Sequence, residues 1–255
     1  MSIEVRRAGE RFVTVEQGRV TRHSFSFGPH YDPANLGFGL LVSHNDDLLQ
    51  PGAGYPDHPH QEMEIVTWVL SGALAHSDSS GRAGVIVPGQ LQVMSAGTGI
   101  VHAERAEPGA GVTRFVQTWV RPDSWGAAPR YAAADVSPGP GWTAVAAGAG
   151  GGDAGGGGAG GGDALPIGSR GATLWVADVV PGAPLVVPDV PHAHLFVATG
   201  AVLLDVESRP DASRPLAVGT DGGLRLGEGD AVRLAGRGLD MTVIEPGQLM
   251  LWTFA

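Results

Sequence analysis

The sequence predicts an all-β protein, a sandwich or barrel in which two similar modules share one chain. Three observations lead there. Short runs rich in valine, leucine, threonine and aromatics, such as "EIVTWVL", "RFVQTWV", "ATLWVADVV" and "MTVIEPGQLMLWTF", recur between Gly and Pro punctuation. No long run of apolar residues with the 3.6-residue period of a helix interrupts them. Finally, "WVLSGALAHSDSSG" (68–81) resembles "FVATGAVLLDVES" (196–208), each an apolar strand, a Gly-Ala turn and a second strand.

Composition narrows the chemistry before any motif is considered. Among the 255 residues there is neither cysteine nor lysine, which excludes thiol nucleophiles, disulfides, thiolate metal sites and lysine Schiff bases. Any metal must therefore sit on histidine and carboxylate. The sixteen basic residues, all arginine, face 26 acids, and a net charge of −10 disfavours nucleic acid and anionic membrane surfaces as partners. Small molecules and other proteins are the partners expected. The first residues, "MSIEVRRAGERFVTVEQG", lack the apolar core of a signal peptide, and no run of about 18 apolar residues occurs, so a cytoplasmic location is expected.

Along the chain, turn signals sit where hairpins would need them: Ser71-Gly72, "DSSGR" (78–82), Pro88-Gly89, Pro181-Gly182 and Pro246-Gly247. The repeat places a module boundary near "VRPDSWGAAPRY" (120–131). Between Gly148 and Asp163, eleven of sixteen residues are glycine, which reads as a flexible surface loop that can be shortened without loss of folding. Its G-x-G-x-x-G match at Gly150, Gly152 and Gly155 follows from the glycine run itself and has no strand-to-helix setting to support nucleotide binding.

The informative stretch is "HPHQEMEIVTWVLSG" (58–72). Alternation along a strand points His58 and His60 the same way, with Glu62 and Glu64 following on that face. A second pair, His102 and Glu104 in "GTGIVHAERA", repeats the i, i+2 spacing forty-two positions after His60. If the two strands lie side by side, three imidazoles and one carboxylate converge. Such a set suits iron, manganese, cobalt, nickel, copper or zinc, and a six-coordinate ion would keep two positions open for chemistry or ligand sensing. The remaining histidines rank lower. His23, His30 and His44 have no second histidine two positions on and are expected as surface or supporting groups, and His76, after a turn, is expected to be exposed. His192 and His194 repeat H-x-H, but the later turn "GEGDAVRLAGRG" offers no counterpart of His102, so a second complete site is not expected.

The segments "HSFSFGPHYDPANLGFG", "NDDLLQPGAGYPDHPHQEMEIVTWVLSG", "HSDSSG", "VPGQLQVMSAGTGIVHAE" and "PRY", spread over residues 22–131, carry a further likeness. Through them the chain resembles the pirin family of bicupins, and within it the bacterial quercetinase-like branch. The resemblance implies two cupin jelly-roll barrels packed face to face, an N-terminal domain of residues 1–121 and a C-terminal one of residues 122–255. It implies one divalent metal, usually Fe(II), in the first barrel alone. The family's ligands fall on His58, His60, His102 and Glu104, with Glu64 left to orient an imidazole. "GEGDAV" looks like a cupin turn without its histidine, and the glycine tract like an expanded loop of the second barrel.

The function implied is a dioxygenase similar to quercetin 2,3-dioxygenases, acting on flavonols or related enolic aromatics with dioxygen. Glu104 is the candidate proton acceptor, and Phe25, Phe27, Phe38 and Met94 are candidates for the pocket wall. The competing reading is a metal-binding, redox-sensing regulator that acts through a protein partner. A third, an isomerase or sugar-processing cupin, fits "HPH…GIVHAE" less well.

Overall fold

A computed structural model describes residues 2–151, 164–205 and 223–255. Residues 152–163, the greater part of the glycine tract, lie outside the described residues. The four glycine-tract residues that are described, 148–151, turn back on themselves, with Gly151 N–H donating to the Gly148 carbonyl. The architecture is all-β: among the described residues there is no α-helix, and a three-residue 3-10 turn at Ala8–Glu10 is the sole helical element. No helix among them is long and apolar enough to cross a membrane.

The chain divides into two compact units, Arg11–Ser137 with Leu165–Arg170, and Met1–Glu10 with Pro138–Ala164 and Gly171–Ala255. Strands are numbered along the chain from β1 (Ser2–Arg6), which belongs to the second unit. The first unit holds β2 (Phe12–Glu16), β3 (Arg19–His23), β4 (Leu41–Leu49), β5 (Gly54–His60), β6 (Glu64–Ser71) and β7 (Leu74–Asp78). It continues with β8 (Ala83–Ile86), β9 (Gln90–Ser95), β10 (Ile100–Ala106), β11 (Thr113–Val120) and β12 (Arg130–Asp135). Two sheets result, ordered β12-β9-β6-β11-β4-β3-β2 and β5-β10-β7-β8, a jelly roll. After β13 (Thr143–Ala147) comes the two-residue β14 (Leu165–Pro166), which falls within the first unit. The second unit then runs through β15 (Ala172–Val179), β16 (Pro184–Val187), β17 (His192–Val197) and β18 (Ala201–Asp205). It ends with β19 (Leu224–Gly227), β20 (Ala231–Ala235), β21 (Leu239–Glu245) and β22 (Gly247–Phe254).

Strand pairing explains where the units divide. β12 pairs with β9 from Arg130 to Asp135, so the chain builds the first unit as far as Ser137, whereas β1 pairs with β20 and carries the N-terminus into the second. Five turn signals were expected to close hairpins, and one does: "DSSGR" joins the paired strands β7 and β8. The other four carry the chain from one sheet to the other, as a jelly roll requires. Gly72 and Gly200 are the positions where this demands glycine. Both have positive φ, 75° and 81°, and a Cβ would lie 2.4 Å from Thr113 Oγ1 at Gly72 and 2.6 Å from the Pro246 carbonyl at Gly200.

The internal repeat is real at the level of topology. In the second unit the larger sheet follows β1-β20-β17-β22-β15-β13 and the smaller follows β16-β21-β18-β19, the same spatial order as β12-β9-β6-β11-β4-β3 and β5-β10-β7-β8, except that the strand beside β20 comes from the N-terminus where β12 follows β11. The interiors differ. Where β10 sets His102 opposite His58, β21 sets Met241 opposite Leu185, inside a closed cluster of valine and leucine.

Candidate metal centre

The site is built on β5, β7 and β10, three adjacent strands of the smaller sheet of the first unit. β5 is its edge strand, which is why "HPH" tolerates Pro59, and between His102 and Glu104 the register slips so that Glu104 faces Tyr55. That bulge contains Pro56, whose freed carbonyl lies 2.8 Å from His58 Nδ1. A carbonyl only accepts, so Nδ1 carries the proton and the His58 lone pair resides on Nε2.

His58, His60 and His102 are brought together, each offering a nitrogen within 4.8 Å of the others, with ring centroids 4.4 to 4.9 Å apart. The Nε2 atoms of His60 and His102 are buried and have no hydrogen-bond partner. Orphaned buried nitrogens are costly unless something binds them, and a cation is what a neutral imidazole cluster accepts. Burial, reinforced by the neighbouring imidazoles, pushes His60 down to about 4 and His102 to about 2, so both are neutral and competent as ligands near pH 7.

Glu104 is fully buried, and both its oxygens accept from amides: Gln117 Nε2–H donates to Oε2 at 2.8 Å and Gln92 Nε2–H to Oε1 at 3.3 Å. Each amide is locked in that orientation. Tyr131 O–H donates to Gln92 Oε1, and Trp119 Nε1–H donates to Gln117 Oε1. Two lone pairs remain on the carboxylate for a metal or a substrate proton. In the metal-free protein, burial raises Glu104 to about 7. Loading a divalent ion should therefore expel a proton: most of one at about pH 6 and little at about pH 8.5, because the carboxyl is already ionised there. Calorimetry in buffers of differing ionisation enthalpy measures this, and equal release at both pH values would remove Glu104 from the site.

Several expectations need correcting. Glu64 orients no imidazole: its Oε2 accepts from Ser95 O–H at 2.6 Å. The alternation that set it on the face of His58 breaks at Glu62, whose φ of 51° ends β5 and begins the passage to β6 in the other sheet. His76 is not exposed but 2% accessible. It stands opposite Glu104 across β7–β10, with Nδ1 3.4 Å from His102 Nδ1 and Nε2 3.2 Å from Asp78 Oδ2. Burial holds its ring below the usual imidazole range, against the pull of Asp78. His23 and His44 are likewise buried; His23 bonds Thr14 and Asn45 and stacks on Phe27. His192 and His194 lie on β17, the counterpart of β6 and not of β5.

Beside the imidazoles opens a cavity of about 350 Å³, with His58 and Glu104 on its wall together with Phe27, Trp119, Tyr55 and Asp47. Of the four residues expected as wall, Phe27 is there, while Phe25 and Met94 are core. Tyr55 and Thr21 each place a hydroxyl 2.5 Å from Asp47 Oδ1, and burial raises Asp47 to about 6. Trp119 and Tyr55 carried no signal in sequence. His76 and Asp78 did: "HSD" repeats the i, i+2 spacing of the other two pairs.

The pirin family model matches residues 4–120. A protein of Mycobacterium bovis named "Putative quercetin 2,3-dioxygenase Mb0187c" is 42% identical over 98% of this chain and 94% of its own. The quercetin 2,3-dioxygenase of Escherichia coli K12 is 40% identical over 51% of this chain and 56% of its own. Among solved structures, E. coli YhhW superposes with a TM-score of 0.82 at 26% identity, covering 100% of this chain and 98% of that one. The same bacterial pirin in complex with nickel(II) gives 0.81 at 26% identity, covering 99% of each. Two jelly rolls, with a histidine cluster among the described residues of the first, and relatives matching along nearly the whole length establish that the chain belongs to the pirin family.

Proposed function

We propose that the chain is a metal-dependent dioxygenase that opens flavonols or related enolic aromatics, with His58, His60, His102 and Glu104 holding one transition-metal ion, iron first among the candidates. The observation that carries this reading is the 350 Å³ cavity, large enough for a small aromatic, with His58 and Glu104 on its wall. Relatives named quercetin 2,3-dioxygenase and a nickel-bound pirin support it.

An ion held by His58, His60, His102 and Glu104 would supply Lewis-acid character to an ionised substrate oxygen and to dioxygen. The protein's own residues do the rest. Glu104, which keeps carboxylate lone pairs not taken by Gln92 and Gln117, is placed to take the proton from an enolic hydroxyl. Gln92 and Gln117 fix the direction of that carboxylate. Phe27 meets Trp119 edge-on at 5.3 Å, and together they form an apolar wall that excludes water from one side of the cavity. The hydroxyl pair on Asp47 supplies polar contacts elsewhere on the wall.

The expected result is oxygen uptake with flavonols that carry a free 3-hydroxyl, and none with the 3-methyl ether, which has no proton for Glu104 to take. An oxygen electrode with anaerobically loaded protein measures both. A methyl ether turned over as fast as the parent would exclude proton removal as the opening step. Uptake with no flavonol at all would favour the metal-responsive regulator that acts through a protein partner.

A further inference from the structure

We propose that Asp78 and His76 are positioning residues that hold His102 in the tautomer whose lone pair lies on Nε2, the atom offered to the metal. This rests on His102 being a ligand, as above, and not on the reaction assigned to the site.

The argument follows protons along three side chains. Asp78 Oδ1 accepts from Ser80 N–H at 2.8 Å, Ser80 O–H at 2.5 Å and Arg82 N–H at 3.3 Å, a donor-rich setting that favours the ionised carboxylate. Oδ2 is left facing His76 Nε2 at 3.2 Å. A carboxylate only accepts, so the proton of the neutral His76 ring sits on Nε2 and its lone pair on Nδ1. That lone pair faces His102 Nδ1 at 3.4 Å, which accordingly carries the His102 proton. The His102 lone pair is then on Nε2, the buried nitrogen with no partner. His58 reaches the same tautomer by a different route, through the Pro56 carbonyl. A carboxylate behind a metal-binding imidazole commonly fixes its tautomer; here a second imidazole is interposed.

The second unit supplies an internal comparison. Counted from the matching turns at Gly72 and Gly200, Leu204 stands where His76 does, paired to Met241 and part of the closed apolar core, while the counterpart of Asp78 lies outside the described residues. The relay histidine thus belongs to the barrel that holds the imidazole cluster and is a leucine in the other.

Asp78→Asn tests the relay with the hairpin preserved. The three donors on Oδ1 keep the amide oxygen at that position, so the NH₂ group must face His76. His76 Nε2 then accepts, its Nδ1 carries the proton, and His102 is driven to protonate Nε2. In ¹⁵N-histidine-labelled, metal-free, full-length protein, two-bond ¹H–¹⁵N spectra should show His102 protonated on Nδ1 in the wild type and on Nε2 in Asp78→Asn. Cobalt(II) affinity should fall about 10–100-fold in that variant and, for want of the relay, in His76→Leu. A wild-type His102 protonated on Nε2, or a folded Asp78→Asn with unchanged tautomer and affinity, overturns the proposal. If Asp78→Asn does not fold, His76→Leu decides, and undiminished cobalt binding there overturns it. His102→Ala separates this from failure of the ligand set: cobalt retained in that variant would mean that His102 is no ligand at all.

Discussion

His102→Ala is expected to purify with less than about a tenth of the transition metal held by the wild-type protein, itself close to one ion per chain. Altering a supporting residue typically weakens a site about 10–100-fold, and deleting a ligand costs more than that. His102 is also the hub of the cluster: it lies within ring-contact distance of His58, His60 and His76, and alanine would leave a cavity between them. The expectation of one ion rests on the second unit, where Leu185, Val187, Met241 and Val243 fill the corresponding positions with closed apolar core. Elemental analysis of anaerobically purified protein reads both. Two ions per chain, or undiminished metal in the variant, would defeat the assignment.

Glu104→Gln should lower oxygenase turnover by at least about 100-fold, the scale expected when a positioned acid–base group is lost, even where some metal remains. It should also destabilise the fold by about 1–3 kcal/mol, although the change is nearly isosteric. The reason is the locked orientation of its neighbours. Gln92 and Gln117 both present NH₂ groups to Glu104 because Tyr131 and Trp119 occupy their oxygens. A glutamine at 104 offers one acceptor where two are required, and sets NH₂ against NH₂ on the other side. Chemical denaturation of both metal-free proteins at about pH 8.5, where the wild-type carboxyl is ionised, reads the stability term apart from metal loss. An unchanged midpoint would mean that the amides can turn, and so that the carboxylate is not held as described.

The all-β class, the duplication and the pairing of His58 and His60 with His102 and Glu104 were legible in sequence because each rests on a short period. Strand alternation and turn residues are local properties, and the i, i+2 spacing is preserved when a strand folds. The same locality produced the errors. Alternation carried from His60 to Glu64 presumes one continuous strand, yet a single positive φ at Glu62 ends it and sends the chain to another sheet. A Gly turn reads alike whether it closes a hairpin or crosses between sheets; the register of distant strands decides, and at four of five positions it decided for crossing.

What the sequence determined by itself was the inventory: no thiol, no lysine amine, the pairs His58/His60, His76/Asp78 and His102/Glu104, and a second module without a matching set. What only the tertiary structure decided was which of those groups share an interior. His76, after a turn in sequence, is buried because β7 lies against β10, a pairing between residues some thirty positions apart. Gln92, Gln117, Tyr55 and Trp119 carry no local mark of function, since amides and aromatics occur in any strand. They become parts of the site because β4, β5, β9, β10 and β11 close around one point, where burial shifts the acidity of Glu104, His60 and His102 and orphans the nitrogens that a metal would bind.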